Sequence, residues 1–555
     1  MMSGAGTWVL RRPRAEVLVQ EVSTEVLVVG GGLGGVAAAL AAARNGRRVL
    51  LTEETRWLGG QLTSQAVPSD EHPWIEQFGC TESYRQLREA IREYYRRWYP
   101  LRSEARDLRV LNPGAATVSK LCAEPRAGLA AIDGMLAPYL ASGRLDVRYQ
   151  VRPVSAETEG DRVTSVTLEH VGSGERVVAT APYVIDATEL GDLLPLTGTE
   201  HVTGFESQAE TGEPSAPAEA QPLNMQAVSW CFIVEHRDGE DHTIDRPEDY
   251  DRWRTYRPDY WPGPMLGLTA PHPHTLEPHH HTFEPNPEED PLDIVADQRA
   301  NPGSTELWRF RRLLARRMFR PGAFESDIVL VNWPMIDYVD GPIIGVSEQE
   351  ATRHLAGARR QSLSMLYWLQ TEAPRRDGGT GWPGLRLRPD VAGTDDGFAM
   401  APYIRESRRI RARRTIVEQD LSLAIRGDAG AVEYPDSVGV GMYRIDLHPS
   451  TGGDNYIDVA SSPYQIPLGA LLPVRTRNLL AGGKNIGTTH ITNGCYRLHP
   501  TEWNIGEVAG LLADHCLRSE VCPGQVHGDA EELARFQARC DAEGIERSWP
   551  DVSAY

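Results

Sequence analysis

The sequence predicts an α/β fold: a Rossmann-like parallel sheet with a small antiparallel meander, and an α+β substrate domain inserted into it. Three observations carry that prediction. Residues 25–53, EVLVVGGGLGGVAAALAAARNGRRVLLTE, read as strand, glycine turn, helix and a second strand ending on an acid. Residues 145–187 add a strand, a meander with turns at Gly160-Asp161 and Gly172 to Gly174, and one more apolar strand. Residues 478–516 repeat the order strand, glycine turn, helix far along the chain. The expected divisions are 1–200 for the first part of the nucleotide domain and 201–465 for the inserted substrate domain. Residues 466–520 form its second part, and 521–555 a C-terminal helix and tail.

Each element follows from its residues. Residues 8–22 alternate enough for an added strand or hairpin. Val26 to Val29 are the apolar run of a strand buried on both faces. Gly30, Gly32 and Gly35 fill G-x-G-x-x-G, with Gly31 and Gly34 enriching the turn. In that pattern the first glycine permits the tight turn, the second admits a pyrophosphate against the backbone, and the third lets helix and strand approach. The helix N-terminus offers N–H groups to phosphate, and Glu53 stands where a carboxylate accepts from a ribose. Gly59 and Gly60, followed by Gln61, Thr63, Ser64 and Gln65, form a polar loop suited to an extended ligand or to an ordinary connection. Residues 83–99 read as an amphipathic helix with a solvated arginine face, and residues 129–142 as a second helix.

From residue 226 tryptophan, proline and charge rise, and no further nucleotide fingerprint appears. His272, His274, His279, His280 and His281 lie between prolines, as in a surface loop; metal binding or a flap over a pocket are the alternatives. Residues 363–369 continue a helix. Arg405, Arg408, Arg409, Arg411, Arg413 and Arg414 either pair with local carboxylates such as Glu406 and Glu418 or reach a substrate anion or carbonyl. Tyr443, Asp446 and His448 fall near strand ends. In the last informative stretch Pro500 precedes a helix, Thr501 is placed to cap it, and Glu507 and Asp514 keep one face wet. A second glycine turn and helix N-terminus suit the far end of a long cofactor, and a flavin needs one across its cleft. Residues 531–544 read as a last amphipathic helix.

Composition narrows the function. The chain has 555 residues, 41% hydrophobic and 24% charged, beyond one ordinary core and typical of a soluble globular protein. Its 57 basic against 77 acidic residues leave −20, which argues against nucleic acid or an anionic membrane as partner. No apolar run is long enough to span a bilayer, and no apolar h-region follows Arg11 and Arg12. Seven cysteines, an odd number without C-x-x-C, point to a reduced cytoplasmic protein. No metal is expected.

Taken together, VVGGGLGGVAAALAAARNG with Glu53, RWLGGQLTSQ, VIDATELGD, PYIRESRRI, YQIPLGALLP and NLLAGGKNIGTTHITNGCYRLHPTEWNIGEVAG resemble the FAD-dependent oxidoreductase family of the glutathione-reductase-like flavoproteins. The resemblance implies FAD as cofactor. It implies that Gly30, Gly32, Gly34 and Gly35 hold the pyrophosphate, Glu53 the ribose, and Gly60, Gln61 and Thr63 the stretch beyond. Pro153 would meet adenine, Ala187 and Thr188 would flank the dinucleotide, and Gly482 and Gly483 would meet the pyrophosphate side. Asn504 and Ile505 would reach the isoalloxazine through backbone. Glu189 departs from the family pattern, where a glycine often stands. The expected reaction is dehydrogenation or oxidation of a small organic substrate, with hydride passing to flavin N5 and oxygen or another acceptor reoxidising it. Flavin monooxygenase and a non-catalytic FAD-holding or binding protein are the alternatives. His490 and His448 are the candidate bases, with structural roles as the alternative for each; Arg405 is the candidate orienting group, and Tyr496 or Cys495 a wall of the site.

Overall fold

The computed structural model describes residues 20–296 and 305–552. Of the strand or hairpin expected over residues 8–22, only the end lies among them: Gln20–Ser23 pairs in parallel with Arg176–Thr180. Arg11 and Arg12 lie outside the described residues.

A five-stranded parallel sheet forms the centre, in the order Leu479–Ala481, Tyr183–Asp186, Val26–Val29, Val49–Glu53, Leu145–Tyr149. Its edge strand comes from the C-terminal third of the chain, so the two distant glycine turns share one sheet. Val26–Val29 is buried at every position, as a strand covered on both faces must be. The helix Leu33–Arg44 packs on the helix His499–Ser519 at backbone distance: a Cβ on Gly506 would lie 1.9 Å from the Gly34 carbonyl oxygen. Only glycine fits such a crossing. The meander Val151–Glu159, Arg162–His170, Arg176–Thr180 forms beside this sheet as expected.

A second sheet is antiparallel throughout, in the order Arg312–Leu314, Ile328–Val331, Phe232–His236, Leu385–Leu387. The helix Glu348–Thr371 and the buried Trp253, Trp261, Trp308 and Trp333 share a separate apolar cluster with it. The histidine tract forms a hairpin, Thr269–Pro271 against Pro278–His280. Among the described residues no group of three or more His, Cys, Asp or Glu could hold a metal ion, and no helix is long and apolar enough to cross a membrane. All seven cysteines are free.

Three local expectations are corrected. On Glu82–Trp98 the arginine face is not wholly solvated: Arg88 and Arg92 are buried and ion-paired to Glu76, each at 2.6 Å, and Arg88 also to Glu71 at 2.8 Å. Glu507 and Asp514 are buried, held by Arg44 at 3.0 Å and by Arg47 at 2.6 Å. That helix is enclosed on all sides, so its acids find partners instead of water. Pro500 lies inside the first turn, and Leu498 takes the N-cap position with no side-chain cap. Thr501 is therefore within the helix.

Candidate functional site

The strand Val26–Val29 ends at Gly30, whose φ of +101° is a left-handed backbone that side chains avoid. A Cβ there would lie 2.2 Å from the Ala187 carbonyl oxygen, so the turn is pressed against the end of the adjacent strand. There Thr188 Oγ1 donates to Asp186 Oδ1 at 2.7 Å. The Gly31 N–H donates to Glu53 Oε2 at 2.9 Å, and the Thr55 N–H to Oε1 at 2.7 Å. Burial pushes the Glu53 pKa up to about 7 in spite of those bonds. Gly32 begins the helix Leu33–Arg44 without a side-chain cap. Its first N–H groups have no oxygen of their own segment to meet, and the Gly34 N–H donates to Glu502 Oε1 at 3.4 Å.

Four other segments close on this turn. A Cβ on Gly60 would meet Gly32 Cα at 2.9 Å, and one on Gly34 would meet the Gly482 carbonyl oxygen at 1.9 Å. One on Gly32 would lie 3.2 Å from Glu189 Oε1 and 3.3 Å from Glu502 Oε1. Gln61 donates to the Arg497 carbonyl at 3.0 Å and to the Glu502 carboxylate. Lys484 is buried and paired with Glu189. Burial opposes its charge, but Glu189 and Glu502 outweigh burial and hold it protonated above the ordinary lysine range. Gly30, Gly32, Gly34, Gly35, Glu53, Gly60, Gln61, Ala187, Thr188, Gly482 and Gly483 are thus brought to one place. Lys484 and Glu502 were not singled out for this place by sequence reasoning. A lysine directly after the Gly482-Gly483 pair was the available signal.

Other expected cofactor residues sit differently. Thr63 donates its hydroxyl within its own loop, to the Leu58 carbonyl at 2.5 Å. Pro153 lies on Val151–Glu159 at a register shift opposite Leu168. Asn504 and Ile505 are past the first turn of His499–Ser519, where backbone N–H groups are spent on the helix itself. The Asn504 amide is bound to the strand Ser437–Gly441 through Val438 O and the Val440 N–H, each at 3.3 Å.

A second polar cluster adjoins the first through residue 497, whose carbonyl accepts from Gln61 and whose side chain belongs to the second cluster. Arg497 donates to the Tyr403 hydroxyl at 2.9 Å and pairs with Asp446 at 3.1 Å. The Arg405 guanidinium lies 4.8 Å from the Tyr403 ring centre and pairs with Asp337 at 3.1 Å. Asp337 Oδ2 meets His448 Nδ1 at 2.6 Å, while Ser229 donates to its other oxygen at 2.5 Å. Burial alone would raise the Asp337 pKa, but Arg405 and His448 reverse the sign and hold it below the usual carboxylate range. Two of the candidates, His448 and Arg405, therefore share one aspartate. Asp337 carries no sequence motif and was missed.

The remaining candidates have other surroundings. His490 stacks on Phe205 with ring centres 3.6 Å apart, and its Nδ1 meets Glu406 at 2.9 Å. Burial works against the charge on Glu406, but His490 and Arg409 prevail and hold its pKa at about 2. Tyr496 donates to the Gln465 carbonyl at 2.8 Å and stacks on Tyr464. Cys495 is a buried thiol whose pKa burial raises. In the arginine cluster the pairing expectation holds: Arg408, Arg409, Arg411 and Arg414 pair with nearby carboxylates, and Arg405 pairs with Asp337, the aspartate that also meets His448.

Among solved structures the chain is similar to a geranylgeranyl bacteriochlorophyll reductase-like protein from Thermoplasma acidophilum. The identity is 11% over 95% of this chain and 85% of that one, at a TM-score of 0.32. It is also similar to the flavin-dependent monooxygenase PieE in complex with FAD and substrate, at 15% identity over 39% and 36% and a TM-score of 0.24. A third is L-proline dehydrogenase from P. horikoshii, at 14% over 34% and 26% and a TM-score of 0.18. The chain spans less than half the length of the last two, and at these scores the likenesses carry no argument. No curated protein matches the chain. A family model matches nearly its whole length, residues 25–539: the chain belongs to the FAD dependent oxidoreductase family, and FAD is its cofactor.

Proposed function

We propose that the protein oxidises a small organic substrate at the cluster of His448, Asp337 and Arg405, beside FAD held at the Gly30–Gly35 turn. The residues fit FAD. Gly32 and Gly60 form a cradle that a Cβ would fill, at a helix N-terminus with no cap of its own. Glu53 has lone pairs beyond its two bonds for ribose hydroxyls, and Lys484 adds a buried cation beside the phosphate turn. Gly30, Gly32 and Gly35 would hold the pyrophosphate and Glu53 the ribose. Bound FAD supplies an electron acceptor that takes a hydride from a substrate C–H.

The observation that carries the proposal is the 2.6 Å contact between His448 Nδ1 and Asp337. A carboxylate on Nδ1 fixes the tautomer that leaves Nε2, 3.8 Å from Asp446 Oδ2, to take a proton, and both aspartates stabilise the imidazolium formed. Substrate O–H or N–H would lose its proton to Nε2 as its C–H gives up hydride. Arg405 orients Asp337 and can polarise a substrate oxygen. Residues 201–465 supply Arg405, Asp337 and His448, consistent with their assignment as the substrate domain. The test is anaerobic mixing of the FAD-loaded protein with alcohols, amines, amino acids and sugars. Bleaching of the flavin by one of them without NAD(P)H is expected, and His448→Ala should slow it by roughly a hundredfold or more with FAD still bound. Bleaching only by NAD(P)H would refute the proposal in favour of a monooxygenase.

A further inference from the structure

We infer that the ligand taken beside His448 carries a carboxylate; this rests on reading that cluster as the substrate site. Four polar atoms there are buried without a protein partner: Arg405 Nε, Arg497 Nε, Gln226 Nε2 and Tyr456 Oη. Their residues are 2%, 2%, 1% and 5% exposed, so water does not answer them from bulk. Their residues are linked through shared neighbours around His448 and Tyr403. Gln226 Oε1 accepts from the His448 backbone N–H at 3.4 Å, and the Tyr456 and His448 rings are 5.5 Å apart. Arg405 shares Asp337 with His448, and Arg497 and Arg405 meet on Tyr403.

Three of the four are obligate donors, and the fourth, a phenol, donates as readily. The aspartates at hand are already engaged, Asp337 by Arg405, His448 and Ser229, and Asp446 by Arg497. A buried donor without an acceptor calls for a bound group that supplies one. A neutral polyol would bring as many donors as acceptors to a place whose unbonded atoms do not accept in like number. A carboxylate brings acceptors only, which is what these unbonded donors lack, and guanidinium N–H groups are well suited to it.

The test uses the FAD-loaded protein with acetate, butyrate and benzoate against acetamide, butyramide and benzamide, none of which offers an oxidisable alcohol or amine carbon. Binding is read by titration calorimetry and by the change in the flavin visible spectrum. At least one carboxylate should bind roughly tenfold or more tightly than its amide. Tyr456→Phe, which removes one hydroxyl and leaves every ion pair in place, should weaken that binding several-fold at unchanged FAD content. Gln226→Leu should act in the same direction. Equal binding of acid and amide, both weakened in Tyr456→Phe, would overturn the carboxylate inference and leave the site reading standing. Carboxylate binding untouched by either variant would place the ligand elsewhere and overturn both. No binding by any of the six would overturn the inference.

Discussion

Glu53→Gln is the perturbation with the most direct consequence for the nucleotide turn. The carboxylate is 7% exposed, and its pKa rises from 4.5 to about 7, with burial as the largest cause. Between those values the unfolded chain is ionised at this position while the folded chain holds the proton. The folded state therefore binds more protons, and its stability falls as pH rises through that window. A rise of this size corresponds to about 3 kcal/mol, fully present below pH 4.5 and lost by the time pH has passed about 7. Glutamine cannot ionise, so the variant escapes that loss. It loses one bond, because Glu53 accepts from both the Gly31 and Thr55 N–H groups and an amide has one accepting oxygen. That fixed cost of about 1 kcal/mol does not change with pH. Urea unfolding of the FAD-free protein from pH 4.5 to 8 should then show the variant less stable at the acid end and more stable at the basic end. On the proposed ribose contact, FAD retention should fall at every pH, because glutamine offers one accepting oxygen where the carboxylate offers two. A stability difference between the two proteins that stays constant across that range would refute the burial argument.

Two further outcomes are expected. Gly506→Ala forces a Cβ to within 1.9 Å of the Gly34 carbonyl, backbone against backbone, and should cost about 3 kcal/mol or more together with loss of FAD; a melting temperature within a degree of the parent would contradict the close crossing. His490→Gln keeps a donor for Glu406 but loses the stack on Phe205, so stability should fall by about 1–2 kcal/mol. Flavin reduction in that variant should stay far above the roughly hundredfold loss of a removed base; a loss of that size would return His490 to the mechanism.

The candidate site divides by the range of the interactions that make it. Gly30 to Gly35 and Glu53 were legible because a strand, a tight turn, a helix and a strand are consecutive, and each glycine answers a local steric demand. His448 and Arg405 were legible only as residue types near strand ends. Asp337, which joins them, lies 111 residues from His448 in sequence, and no spacing rule connects the two. Arg88, Arg92, Glu507 and Asp514 were read as solvated because charge on an amphipathic helix usually is. The helix His499–Ser519 is covered on its polar side as well, and on Glu82–Trp98 Arg88 and Arg92 are buried, so at these positions ion pairs replace water.

The sequence by itself determined the parallel sheet, the meander and the glycine turn at Gly30 to Gly35, since periodicity and glycine placement are properties of neighbours along the chain. Only the tertiary structure decided which distant strand completes the sheet, that Lys484 and Glu502 face the turn, and that Asp337 holds His448 and Arg405. Those depend on which buried charges meet, and a buried charge is stable only beside a partner that the whole fold must deliver.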